Sequence, residues 1–125
     1  MDIENFESIV ARAVEALPDE FQTRLENVDV VVDDYPTSGQ VQKAGVKHGG
    51  TLLGLYEGVP RTRRGSGYGL VLPDKITLFR IAIETSCRND DEIRAVIENV
   101  VKHEIAHHFG ISDARLEQIE RDEGD

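Results

Sequence analysis

The chain has 125 residues, of which 39% are hydrophobic, and carries a formal net charge of −10 with a pI near 4.8. That length suits one cored domain, residues 1–125, and is short for two. The acidic balance argues against a broad nucleic-acid or anionic-membrane surface, because phosphate binding needs clustered lysine and arginine.

Ile3, Phe6, Ile9, Val10, Ala13, Val14 and Leu17 recur at helical spacing, and Pro18 closes the pattern, which predicts an N-terminal packing helix. After an acidic bridge, Val28–Val32 reads as a strand ended by Asp33-Asp34-Tyr35-Pro36. The stretch from Thr37 to Gly50 has few apolar residues and several glycines and reads as a loop, with His48 a loop histidine. Leu52 to Tyr56 reads as a second strand, in which Gly54 marks a bulge or a close backbone approach. Gly58 to Gly69 combines glycines with Arg61, Arg63 and Arg64 and reads as a mobile loop; its arginines are candidates for steering an acidic substrate or its C-terminal carboxylate, with a solvated loop as the plainer reading. Leu70–Leu72 is a further short pairing segment, and Pro73-Asp74 turns the chain into Ile76–Ile83, a β-branched and aromatic run predicted as a strand buried on both faces. Asn89-Asp90-Asp91-Glu92 resembles a helix N-cap with glutamate at the third helical position, and Ile93, Val96, Ile97 and Val100 extend it as an apolar stripe. Ser112 or Asp113 caps a last short helix through Arg115, Leu116, Ile119 and Arg121.

The long helix carries the chemistry. His103-Glu104-Ile105-Ala106-His107-His108-Phe109-Gly110-Ile111-Ser112-Asp113 spells HExxHxxGxxD. His103 and His107, four residues apart, share a helix face, so their imidazoles can converge on one tetrahedral cation at roughly 2.0–2.1 Å. Glu104 stays outside the ligand set, where its carboxylate can take a proton from water at an open coordination position. Gly110 can adopt positive φ and turn the chain sharply, bringing Asp113 back as a third ligand. Three protein ligands and one open position are the signature of catalytic zinc. Continuing the apolar stripe places His103, Glu104 and His107 on the inward face, where an unpaired polar group costs about 1–3 kcal/mol and therefore needs a cation or a cleft.

Alternatives exist at several positions. Asp113 can instead cap the last helix, and Glu117 or Glu120 can be the third ligand if that helix folds back across the site. His108 lies about 100° from the ligand face and reads as a surface or supporting group. Tyr56 and Tyr68 are candidates for a hydrogen bond to a tetrahedral intermediate, with packing as the plainer reading. Cys87, the only cysteine, reads as structural, and the N-terminus lacks the basic and apolar regions of a secretion signal, so a cytoplasmic protein is expected.

The stretch from Lys102 to Leu116, KHEIAHHFGISDARL, together with Leu52–Pro60 (LLGLYEGVP) and Leu72–Phe79 (LPDKITLF), resembles the small bacterial zincin-like metallopeptidase family. The resemblance implies an α+β minimal zincin-like fold with an N-terminal helix, a small mixed sheet of three or four strands, a long active-site helix and a short C-terminal helix. It implies a zinc metallopeptidase with one zinc per chain on His103, His107 and Asp113, and with Glu104 as catalytic general base. Most of the wider metzincins carry histidine at the position of Asp113. The only methionine is Met1, so no methionine turn can lie beneath the metal, and only twelve residues follow Asp113. The specificity wall that follows in larger relatives is therefore not expected, which points to an open cleft for a peptide or protein substrate or to a partner protein that completes it. Two other readings remain at this stage. One is a metal-stabilised binding module without efficient proteolysis; the other is a metal-dependent endoribonuclease, a class that shares HxxxHxxGxxH spacing but lacks glutamate after the first histidine.

Overall fold

Asp2 accepts the Asn5 amide at 2.8 Å and starts α1 (Ile3–Glu15), whose Phe6, Ile9, Val10 and Ala13 are buried as their spacing predicts. This computed structural model describes residues 2–45, 51–58 and 72–124. Pro18 ends the α1 pattern, as expected, but it also begins α2 (Asp19–Arg24), with Asp19 and Glu20 in the first turn and Phe21 buried. The acidic bridge is thus a short helix followed by a 3-10 turn, Leu25–Asn27. Its acidic residues suit the positive end of the helix dipole.

β1 (Val28–Asp33) follows as expected, and the next segment corrects the sequence reading. The expected loop from Thr37 onward holds α3 (Ser38–Ala44). Thr37 Oγ1 accepts the Gln40 amide at 3.1 Å while the Gln40 side chain accepts the Thr37 amide at 2.9 Å, a complete capping box. Gly45, at φ 69°, closes the helix. Low apolar content hid this helix because it is short and has no buried residue of its own. His48, the Gly58–Gly69 segment beyond Gly58, Tyr68 and Leu70–Val71 lie outside the described residues.

β2 (Gly54–Glu57) and β3 (Asp74–Phe79) complete a three-stranded mixed sheet among the described residues, in the order β1-β3-β2. β3 runs parallel to β1, with Val30 opposite Ile76, and antiparallel to β2, with Tyr56 opposite Ile76 and Gly54 opposite Leu78. Its central place explains why both its faces are apolar. Ile76 and Leu78 join the main core, while Leu55, Thr77 and Phe79 are buried on the opposite face. The predicted strand to Ile83 stops at Phe79, and α4 (Arg80–Ser86) begins there. Arg80 supports the change, since its guanidinium bonds Asp34 Oδ1 at 2.9 Å and Glu84 Oε2 at 3.1 Å, the latter an i,i+4 pair of the kind that stabilises a helix.

Asn89 accepts the Glu92 amide at 2.9 Å and caps α5 (Asp90–Phe109), which packs on α1 and the sheet. Gly110, at φ 71°, ends α5 in a Schellman-type turn in which the Ile111 amide reaches the Ala106 carbonyl at 2.8 Å. Ser112, not Asp113, caps α6 (Asp113–Gly124), its Oγ accepting the Arg115 amide at 3.1 Å. Leu116 and Ile119 are buried in the core, and Lys102 meets Glu120 at 3.5 Å. The architecture is α+β, with the long helix under a small sheet.

Gly54 is a close approach rather than a bulge, because the β2–β3 register is uninterrupted. A Cβ there would stand 2.5 Å from Val100 Cγ1 and 3.1 Å from the Thr77 carbonyl oxygen. The stiff valine cannot swing aside as a flexible chain end would. Gly54→Ala is therefore expected to destabilise the fold by about 1–3 kcal/mol, and Val100→Ala in the same chain to recover much of that loss. Urea unfolding of the two single variants and the double variant measures the coupling; strictly additive effects would show that strand and helix do not meet at this point.

Candidate active site

Four-residue steps divide α5 into rows, and each row has one task. Ile93, Ile97, Val101 and Ile105 form the core row, all buried. Three residues further along the chain, and so turned by roughly 60°, come Val100, Glu104 and His108, which face β2. Another such turn brings Asn99, His103 and His107, which are exposed on the open side. The expectation that His103, Glu104 and His107 share the inward stripe is corrected here. The core row is Ile93-Ile97-Val101-Ile105, so the histidines lie about 120° from it and reach solvent, while Glu104 is half-buried between them and the sheet.

β2 matches the row it covers. Four helical residues rise about 6 Å and two strand residues about 6.6 Å, so a strand laid along the helix meets every fourth helical residue with every second one of its own. Gly54 sits on Val100, and the Tyr56 amide donates to Glu104 Oε1 at 2.9 Å. The Tyr56 ring stacks on His108 at 3.9 Å between centroids, with the planes 16° apart. Its hydroxyl donates to Asp74 Oδ2 at 2.7 Å. One oxygen of Glu104 is thereby held by a backbone amide, which fixes the carboxylate without neutralising it. Tyr56 is a support and not an oxyanion donor here, since its hydroxyl is engaged by Asp74 and its ring lies under His108. His108 is exposed and supported, as its offset from the ligand face implied.

The His103 and His107 rings are 6.5 Å apart between centroids. Two imidazoles on one tetrahedral ion would have centroids roughly 5 Å apart, so a closure of about 1.5 Å by side-chain rotation would bring both onto it. His103 Nδ1 lies 2.7 Å from the Asn99 carbonyl oxygen. A carbonyl can only accept, so Nδ1 donates to it, which leaves Nε2 as the nitrogen that would meet a metal. These two residues fit zinc. The third ligand is not assembled: Asp113 is exposed in the first turn of α6, and among the described residues no group of three His, Cys, Asp or Glu side chains converges on a common point. Glu120 is engaged with Lys102, and Glu117 is exposed on α6.

Three supporting contacts lay beyond sequence reasoning. The Tyr56 amide and the Asp74 carboxylate reach the site only through strand pairing, and α3 reaches it through Glu57. Gln40 Nε2 donates to Glu57 Oε1 at 2.9 Å and Lys43 Nζ meets Glu57 Oε2 at 3.3 Å, clasping α3 to the end of β2. The spacing of Thr37 and Gln40 was the available signal for α3. The Gln40 amide, and then Lys43, hold the Glu57 carboxyl below its ordinary value, with partial burial opposing them. A depressed carboxyl stabilises the fold above the unfolded value, near 4.5, and that contribution is lost as pH falls through the folded one. The melting temperature of the native chain should therefore exceed that of Glu57→Gln at neutral pH, with the gap narrowing below pH 4.5. Thermal melts across the acid range test this, and a gap independent of pH would take the carboxylate charge out of the clasp.

Among the described residues no helix is long and apolar enough to cross a membrane. No curated protein matches the chain. The zincin-like metallopeptidase family matches over residues 25–123, a span that begins before β1 and contains β2, β3 and the whole of α5. With its histidine pair, its glutamate fixed by a strand amide and this match over most of its length, the chain belongs to the zincin-like metallopeptidase family.

Proposed function

We propose that the protein is a zinc-dependent peptidase in which Glu104 is the general base. The observation that carries this reading is the hydrogen bond from the Tyr56 amide to Glu104 Oε1, beside two exposed histidines one helical turn apart. His103 and His107 would hold the zinc, with Asp113 as the third ligand and one zinc per chain. When bound, zinc would supply Lewis acidity toward a peptide carbonyl and toward water. Glu104 does the proton work. Oε1 is committed to the strand amide, so Oε2 is the oxygen that accepts a proton from attacking water and then releases it to the departing amine nitrogen. The strand amide keeps the carboxylate in one orientation throughout, which removes the entropy of finding it.

The alternative of a nuclease gains no support from these residues. A phosphodiester substrate requires basic contacts, and Lys43 is the one lysine or arginine among the described residues that line the grooves on either side of Glu104. A binding module without turnover has the same metal ligands, and Glu104→Gln separates the two. That variant should retain zinc and fold while losing about 10²-fold or more in peptide hydrolysis. Zinc content and cleavage of a peptide library are measured on the same preparation; turnover equal to that of the native chain would remove Glu104 from the mechanism.

The ligand assignment has its own test. His103→Ala and His107→Ala should each abolish stoichiometric zinc binding, and Asp113→Ala should weaken it by at least about tenfold through loss of one of three donors. Glu117→Ala and Glu120→Ala should bind as the native chain does. Competition titration with a chromogenic chelator gives the ranking, and weaker binding by Glu120→Ala than by Asp113→Ala would reassign the third ligand.

A further inference from the structure

The cleft beside Glu104 has two arms that meet at Gly54 and Glu104, and they differ in charge. The smaller, about 280 Å³, runs past His103 and is bordered by the neutral polar groups Thr51 and Asn99. The larger, about 420 Å³, runs past His107 and His108 and ends on Lys43 of α3. Lys43 is the only lysine or arginine among the described residues lining either arm.

Resting on the peptidase reading above, we propose that Lys43 is a specificity residue that recognises a carboxylate of the peptide substrate on the His107–His108 side of Glu104. Position is one argument. The capping box at Thr37 and the bond from Gln40 to Glu57 fix α3 against the end of β2, so Lys43 is carried on an anchored helix rather than on a loose loop. Availability is the second. An ammonium has three N–H donors, and the contact to Glu57 Oε2 at 3.3 Å engages one of them while 61% of the side chain stays exposed. Glu57 keeps other partners when Lys43 turns away, because Gln40 binds its other oxygen at 2.9 Å and Lys75 contributes a further positive charge nearby. Lys43 can therefore turn toward a second carboxylate without leaving an orphaned charge. Contrast is the third argument. The chain carries −10, so an acidic peptide is repelled on approach unless a local cation offsets the field, and among the described residues only one arm has a lysine or arginine. A glutamate or aspartate side chain and a free C-terminal carboxylate offer the same chemistry.

The test uses equilibrium binding, so it does not depend on turnover. Fluorescent peptides bind to the full-length Glu104→Gln chain supplied with equimolar zinc. The set comprises an uncharged peptide, peptides with one glutamate placed before or after its centre, and the uncharged peptide with a free or an amidated C-terminus. A carboxylate on one side only, borne by the side chain or by the terminus, should tighten binding about three- to tenfold, and this preference should fall to near unity when Lys43→Met is added. Lys43→Arg should keep it. So should Lys75→Met, which removes a charge near Glu57 from outside both arms. A preference that survives Lys43→Met, or that Lys75→Met removes equally, overturns the proposal. Turnover of the uncharged peptide by the native chain tests the peptidase reading separately. A charge preference at Lys43 without turnover sinks that reading alone, and failure of every peptide to bind sinks both.

Discussion

The contact between β2 and the long helix is the constraint on which the site depends. It works because a strand and a helix have nearly commensurate repeats at two and four residues, so Gly54 and Tyr56 fall on Val100, Glu104 and His108 in turn. The absence of a side chain at Gly54 lets the backbones approach closely enough for the Tyr56 amide to reach Glu104 at 2.9 Å. A single exposed carboxylate on a helix would sample several rotamers; this one is tied to a strand that is itself tied to β3. The order of the glutamate is thus a property of the sheet.

The same geometry accounts for the exposure of the histidines. α5 has one row committed to the core and one to β2, a third buries Lys102 and Ala106, and the row of Asn99, His103 and His107 faces the open side. Exposure suits the task, since a metal ligand must be reachable by the ion and by the substrate. It also removes the need for burial to justify the motif's polar residues. What orders His103 is local, namely the carbonyl of Asn99 one turn earlier on the same helix.

Electrostatics divide the site in a way the total charge does not reveal. A net charge of −10 belongs to the whole chain, while among the described residues the cleft itself is bordered by one carboxylate, three imidazoles and one lysine. Glu57 links these features. It anchors α3 through Gln40, and it holds Lys43 near the larger arm through its second oxygen. Asp113 illustrates the opposite case. Gly110 turns the chain as its spacing implied, yet Ser112 takes the capping role and leaves Asp113 exposed on α6, separate from the histidine pair.

Sequence alone determined the features whose causes lie within a few residues of one another. The helices with a clear 3.6-residue period, the Asn89 cap, the glycine exit at Gly110 and the four-residue separation of His103 and His107 are local facts, and all were legible. The α3 capping box was equally local and was overlooked because the segment buries nothing. The run from Ile76 to Ile83 misled for a different reason: β-branched residues favour a strand, but Arg80 bonds to Asp34, 46 positions earlier, and to Glu84, one helical turn on. Which row of α5 faces the core could not be read from the helix either. Ile93, Ile97, Val101 and Ile105 compete with Val96 and Val100 as an apolar stripe, and the choice falls to whichever side α1 and the sheet occupy. Only tertiary structure could decide that, because burial is set by neighbours distant in the chain, and with it the packing decided that Glu104 is held by a strand while His103 and His107 are left open.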